Sequence, residues 1–106
     1  MPMYGRKAQV VSTFKTSFDN SCSYMIDVAA NKLYLTNNEA DQIFQEIFDS
    51  YANEKFHMIT IYIYRDRYTT KKGSPLIKGV YSSSDSLKYN SKDNPEVFNL
   101  EVKKFY

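Results

Sequence analysis

A chain of 106 residues with 42% apolar and 25% charged residues can build one packed core and has the composition of a folded domain, not a disordered segment. Three glycines, one cysteine and one histidine exclude a Gly-rich phosphate cradle, an internal disulfide and a zinc site of Cys and His ligands. The net charge of +2 is unevenly placed, because residues 36–54 carry −5 and the remainder +7, a segregation able to orient an approaching partner.

In chain order, Ala8 to Lys15 reads as a strand with Ala8, Val10, Ser12 and Phe14 on one side. Asp19-Asn20-Ser21 is a turn signal. Residues 23–28 and 32–35 then read as two strands joined at Ala29-Ala30-Asn31. Residues 36–52 are the clearest helix. Thr36 and Glu39 are spaced as a capping box, and Ala40, Ile43, Phe44, Ile47, Phe48 and Tyr51 form one apolar stripe. Gln42, Gln45, Glu46 and Asp49 are left on the outer face, and Asn53 is placed to close the helix in a left-handed conformation.

The most informative stretch follows, from Phe56 to Tyr68. It is β-branched and aromatic with a period of two, which suits a pleated strand. Ile59, Ile61 and Ile63 make an oily stripe that matches the helix. Thr60, Tyr62, Tyr64 and Tyr68 make the opposite face, with Arg65, Arg67, Lys71 and Lys72 at its end. Residues 69–75 read as a basic hairpin tip, and Leu76 to Tyr81 as the next strand. A long loop rich in serine covers 82–95, and loops of that length are often functional. A last strand has Phe98, Leu100 and Val102 on one side and Asn99, Glu101 and Lys103 on the other. The expected fold is α+β over 1–106 as a single domain. It has one antiparallel sheet of five to six strands, in the order β-β-β-α-β-β-β, with the amphipathic helix on one face.

Chemistry has few candidates. A Cys–His nucleophile would need Cys22 and His57 to meet, although the first reads as part of a polar turn and the second as the start of a strand. No calcium loop, Walker sequence or nucleophile elbow occurs. The expectation is therefore a protein that is not an enzyme and uses neither cofactor nor metal. The tyrosine face carries the positive reading. Tyr62, Tyr64, Arg65, Arg67, Tyr68, Lys71 and Lys72 form the candidate contact set, with tyrosine and arginine the residue types that anchor interfaces. A protein partner or self-association is expected first, as in an adaptor or inhibitor. Tyrosine, asparagine, lysine and isoleucine all follow from AT-rich codons, so a phage or mobile element is a fitting source. Single-stranded nucleic acid is the alternative, with tyrosines stacking on bases and cations on phosphates. The competing arrangement is a sheet that curls over and covers its own tyrosines. No apolar leader follows the charged N-terminus, and Met58–Tyr64 is too short to cross a bilayer. The expected location is cytoplasmic, without a membrane partner.

Overall fold

The computed structural model describes residues 8–18, 21–32, 35–66, 70, 73–83, 92–93 and 97–105. It contains strands β1 (Gln9–Phe18) and β2 (Ser21–Ala29), helix α1 (Asn37–Ser50), and strands β3 (Met58–Tyr64), β4 (Ile77–Ser83) and β5 (Phe98–Lys104). The α+β class and the helix over a sheet are as expected. The sheet is not purely antiparallel, however, and its described strands number five, in the order β-β-α-β-β-β.

The strands lie side by side in chain order, β1 to β5, and all neighbours are antiparallel except β2 and β3. The parallel pair follows from the helix. Parallel neighbours need a crossover of a dozen or more residues, and α1 supplies it between β2 and β3. The strand expected at 32–35 is absent from the described part of that segment. Lys32 is in a bend and Leu35 leads into the helix, while Leu33 and Tyr34 lie outside the described residues. Asn31, with φ of 62°, ends β2 in the left-handed region that asparagine tolerates. Asn53 does not adopt that conformation, and the helix closes at Tyr51, whose N–H reaches the carbonyls of Phe48 and Asp49. The ladder between β2 and β3 continues past Asn31, with Ala30 N–H donating to Tyr64 C=O at 2.8 Å and Lys32 N–H to Arg65 C=O at 3.1 Å.

Both arms of the capping box form. Glu39 N–H donates to Thr36 Oγ1 at 3.1 Å, and Thr36 N–H donates to Glu39 Oε1 at 3.0 Å. Lys32 pairs with the same carboxylate, and that hydrogen bond, followed by the one from Thr36, lowers the Glu39 pKa. The stripe of Ala40, Ile43, Phe44, Ile47 and Phe48 is buried as its spacing requires. It lies on Tyr24, Ile26 and Val28 of β2, on Ile59, Ile61 and Ile63 of β3, and on Ile77 and Tyr81 of β4. An aromatic cluster closes one end of this core. Phe48 stacks on Tyr81 with centroids 4.0 Å apart and meets the edges of Phe56 and Phe98 at 6.1 and 5.4 Å. Tyr24 joins through Tyr51 at 4.6 Å and Phe56 at 6.0 Å. At roughly 1.5–3 kcal/mol for each large side chain buried, this layer is the main favourable term in folding.

Gly79 sets how close the helix sits. It is buried on the helix side of β4, and a Cβ there would stand 2.7 Å from Cε1 and Cζ of Phe44, a ring with no solvent exposure. Gly79→Ala is therefore expected to destabilise the protein by about 1–3 kcal/mol through overpacking. Adding Phe44→Leu should recover part of the loss, as measured by urea unfolding of both variants and the pair.

Burial also acts on the core phenols. It is the largest cause that pushes the Tyr24 pKa up to about 12, with Cys22 and Glu54 adding to it. Burial likewise leads at Tyr81, followed by Asp49 and Asp41, and again the result is about 12. A phenol with a raised folded-state pKa holds its proton more tightly when folded. Stability is thus intact below about pH 10 and falls as pH rises toward 12, by up to about 1.4 kcal/mol per pH unit for each phenol. Tyr81→Phe should flatten that decline in urea midpoints measured across this window, and an unchanged slope would count against the burial argument.

Candidate functional site

The face of the sheet opposite α1 is built from the alternate residues of each strand. Its register can be followed across the molecule from the pairings. Ser12, Asp27, Tyr62, Lys78 and Lys103 form one row, and Phe14, Met25, Thr60, Val80 and Glu101 form the next. A third row holds Thr16, Ser23, Met58, Ser82 and Asn99. Exposure is graded across these rows. The outer strands are exposed, with Phe14 at 65%, and the central residues Thr60, Tyr62, Lys78 and Val80 are half-buried by their neighbours. Among the described residues, no second layer packs over these rows.

A bulge decides where Phe14 points. The β1–β2 register shifts between Val10 and Ser12, so Val10 pairs with Val28 on the helix side while Ser12 and Phe14 pair with Asp27 and Met25 on the open side. The unbroken alternation expected for β1 fails at this step, because an extra residue in one strand reverses the faces that follow. The result is an exposed apolar pair, Phe14 beside Met25, the latter 46% exposed.

The expected contact set divides. Tyr62 lies in the middle of the open face, half-buried, with Lys78 Nζ 5.6 Å above its ring. Tyr64 is on the same side with its ring 6.5 Å from that of Tyr62, but it is buried, at 6% exposure, next to Ala29, which has none. Burial, followed by the nearby Asp27 and Tyr62, raises the Tyr64 pKa. Its phenol is therefore part of the protein's own packing and does not serve as an exposed anchor. Arg65 is exposed, sits 3.4 Å from the Asp66 carboxylate, and borders a depression of about 320 Å³ with Asn31 and Lys32. Arg67, Tyr68, Lys71 and Lys72 lie outside the described residues, as does most of the 82–95 loop. The start of that loop is strand, since β4 continues through Ser83.

The charged rim has further members outside the expected contact set. Lys78 and Lys103 face each other across β4 and β5, and together with Val80 and Glu101 they border a shallow depression of about 510 Å³. Asp27 accepts a hydrogen bond from Ser12 Oγ at 2.9 Å at the other end of the row. Lys78 and Val80 alternate with Ile77, Gly79 and Tyr81, so the sequence could have assigned them to this face. Their proximity to Glu101 and Lys103 depends on the strand order, which it could not show.

Cys22 and His57 do meet, though not through the Cys22 thiol. Cys22 is inside β2, not in the turn before it, and its thiol is in the core at 3% exposure, where Ser17 Oγ donates to Sγ at 3.8 Å. The contact is through the main chain. Cys22 N–H donates to His57 Nδ1 at 3.1 Å, and His57 N–H donates to Cys22 C=O at 3.0 Å. The imidazole thus extends the parallel ladder by one rung and has its Nδ1 lone pair occupied. Among the described residues, no three His, Cys, Asp or Glu side chains gather to hold a metal ion, and no helix is long and apolar enough to cross a membrane. Comparison with protein-family models, with curated proteins and with solved structures finds no match to this chain.

Proposed function

We propose that this protein works as a binding module, not an enzyme, and that it covers the surface of a protein partner with the open face of its sheet. One observation carries this reading. Phe14, Met25, Tyr62 and Val80 form an apolar centre over which no second layer packs among the described residues, with charges of both signs around it: Asp27, Lys78, Glu101 and Lys103. Protein interfaces have this anatomy, an apolar and aromatic centre inside a polar rim. Tyr62 is the natural anchor, since it is already held by its neighbours and by Lys78 and loses little freedom on docking.

The same observation argues against a nucleic-acid strand. Two lysines on the described face are matched by the carboxylates of Asp27 and Glu101, and a phosphate backbone gains little from a neutral surface. The complementary partner has an apolar patch flanked by acidic groups opposite Lys78 and Lys103. Arg65, exposed just past the end of β3, would add orientation and on-rate more than affinity.

The reading is tested by capture from a cell extract with three versions of the protein. A partner held by the wild type should be lost from Phe14→Ser/Tyr62→Ala and retained by Gln45→Ala/Asp49→Ala, which alters the outer face of the helix. Retention by the first variant, shown to be folded by circular dichroism, refutes the choice of face. A thirty-residue oligothymidine is the second probe. Binding that weakens with a log–log salt slope of about −0.7 per phosphate contact would move the assignment to nucleic acid.

A further inference from the structure

Among the described strands, β5 is the last of the sheet, with no neighbour on its outer side. Which of its residues turn their main chain outward can be derived. Ser83 N–H donates to His57 C=O at 2.9 Å, so the odd residues of β4 face β3 and the even ones face β5. Phe105 N–H donates to Leu76 C=O at 3.0 Å, which agrees. In β5 the alternation then directs Asn99, Glu101 and Lys103 toward β4, and Leu100, Val102 and Lys104 outward. These outward residues are exposed, Leu100 at 37% and Val102 at 45%.

We propose that a second copy of this chain docks antiparallel along β5 with Val102 on the twofold axis, joining two sheets into one. The charge pattern selects both the partner and the register. Centring on Val102 sets Glu101 of each copy directly opposite Lys103 of the other, on the open side of the joined sheet. Leu100 then faces Lys104, and Val102 faces Val102 on the helix side. Centring on Glu101, Lys103 or Lys104 would put like charges face to face, which is unfavourable, and centring on Leu100 would set Glu101 opposite Asn99 and forgo both ion pairs. Half-step registers would break the hydrogen-bonding alternation.

The Val102 register also matches the main chain. Val102, Leu100 and Lys104 all present outward N–H and C=O groups, so about six inter-chain hydrogen bonds form. Glu101 and Lys103 fall at the non-hydrogen-bonded positions, where opposing side chains approach most closely. The opposite edge of the sheet is less suitable, because the bulge between Val10 and Ser12 interrupts β1. This inference goes beyond the open-face reading and does not rest on it: Glu101 and Lys103 belong to both surfaces, but the test reads the oligomeric state of the chain alone.

Two short strands bury less area than a stable dimer interface, so the association should appear between about 10 μM and 1 mM. Sedimentation equilibrium over that range is the test. Lys103→Glu and Glu101→Lys should each weaken the dimer by about tenfold or more, because each places like charges opposite one another twice. The double variant Glu101→Lys/Lys103→Glu restores opposite signs in reverse and should return the dissociation constant to within about threefold of wild type. Lys103→Glu does not endanger the fold, as it puts a carboxylate opposite Lys78 on β4. A chain that is monomeric at 1 mM overturns the proposal. So does a dimer insensitive to the single reversals, or a double variant that fails to recover.

Discussion

The fit of the Phe44 ring against the bare backbone of Gly79 fixes the distance between the two layers, and the rest of the architecture depends on it. A helix approaching a sheet is normally held off by side chains on both surfaces. Here one surface position has no side chain, and the ring occupies the space that even a Cβ would need. The isoleucines on either side, Ile61 on β3 and Ile77 on β4, are then within reach of the helix stripe and have 1% exposure or less. A glycine inside a strand loses conformational entropy on folding and lacks side-chain contacts of its own. The close approach it permits offsets that loss by burying Phe44 completely.

From that seat the helix covers a limited width. A helix with its side chains is about 10 Å across, and five strands at about 4.8 Å spacing span roughly twice that. α1 lies over β2 to β4 and leaves the edge strands β1 and β5 to make their own arrangements. Phe98 anchors the start of β5 by packing on Phe48 and Phe56, but Leu100 and Val102, on the same side of the strand, extend past the helix and stay exposed. On the other flank Val10 is on the helix side and still 55% exposed. The surplus apolar surface is therefore not scattered. It is concentrated on the edges and on the side of the sheet away from the helix.

Local signals in the sequence proved sufficient for the local structure. The capping residues Thr36 and Glu39, the stripe from Ala40 to Phe48 and the alternation from Ile59 to Ile63 each depend on neighbours within a few residues, and each formed as read. One local signal misled, the helix cap expected at Asn53, but the larger failures depended on distant partners. Whether β3 joins β2 in parallel is decided by where the chain returns after the helix, and nothing in residues 56–64 records it. The β1 bulge escaped because a single extra residue leaves the apolar content unchanged while reversing the faces beyond it. Tyrosine content misled in part. Tyr24, Tyr51 and Tyr81 belong to the aromatic end of the core, and Tyr64 is buried on the other side, so Tyr62 alone among these five keeps a half-exposed place on the face for which tyrosine was first noted.

The division between Tyr62 and Tyr64 bears on how the proposed docking face is built. At the Tyr64 end, Ala29 is fully buried and the phenol is packed inside. One row on, the neighbours are Asp27 and Lys78, one charge on each side of Tyr62. A lysine over an exposed aromatic ring shields it from water with its aliphatic stem while keeping its ammonium hydrated. A partner that offers a carboxylate to that ammonium can draw it aside and gain the ring beneath, whereas a purely apolar surface meets the charge first. In the proposed docking the Lys78–Tyr62 pair would act as a polar cover on an apolar anchor, favouring a partner that carries acidic groups beside its own apolar patch over indiscriminate aggregation.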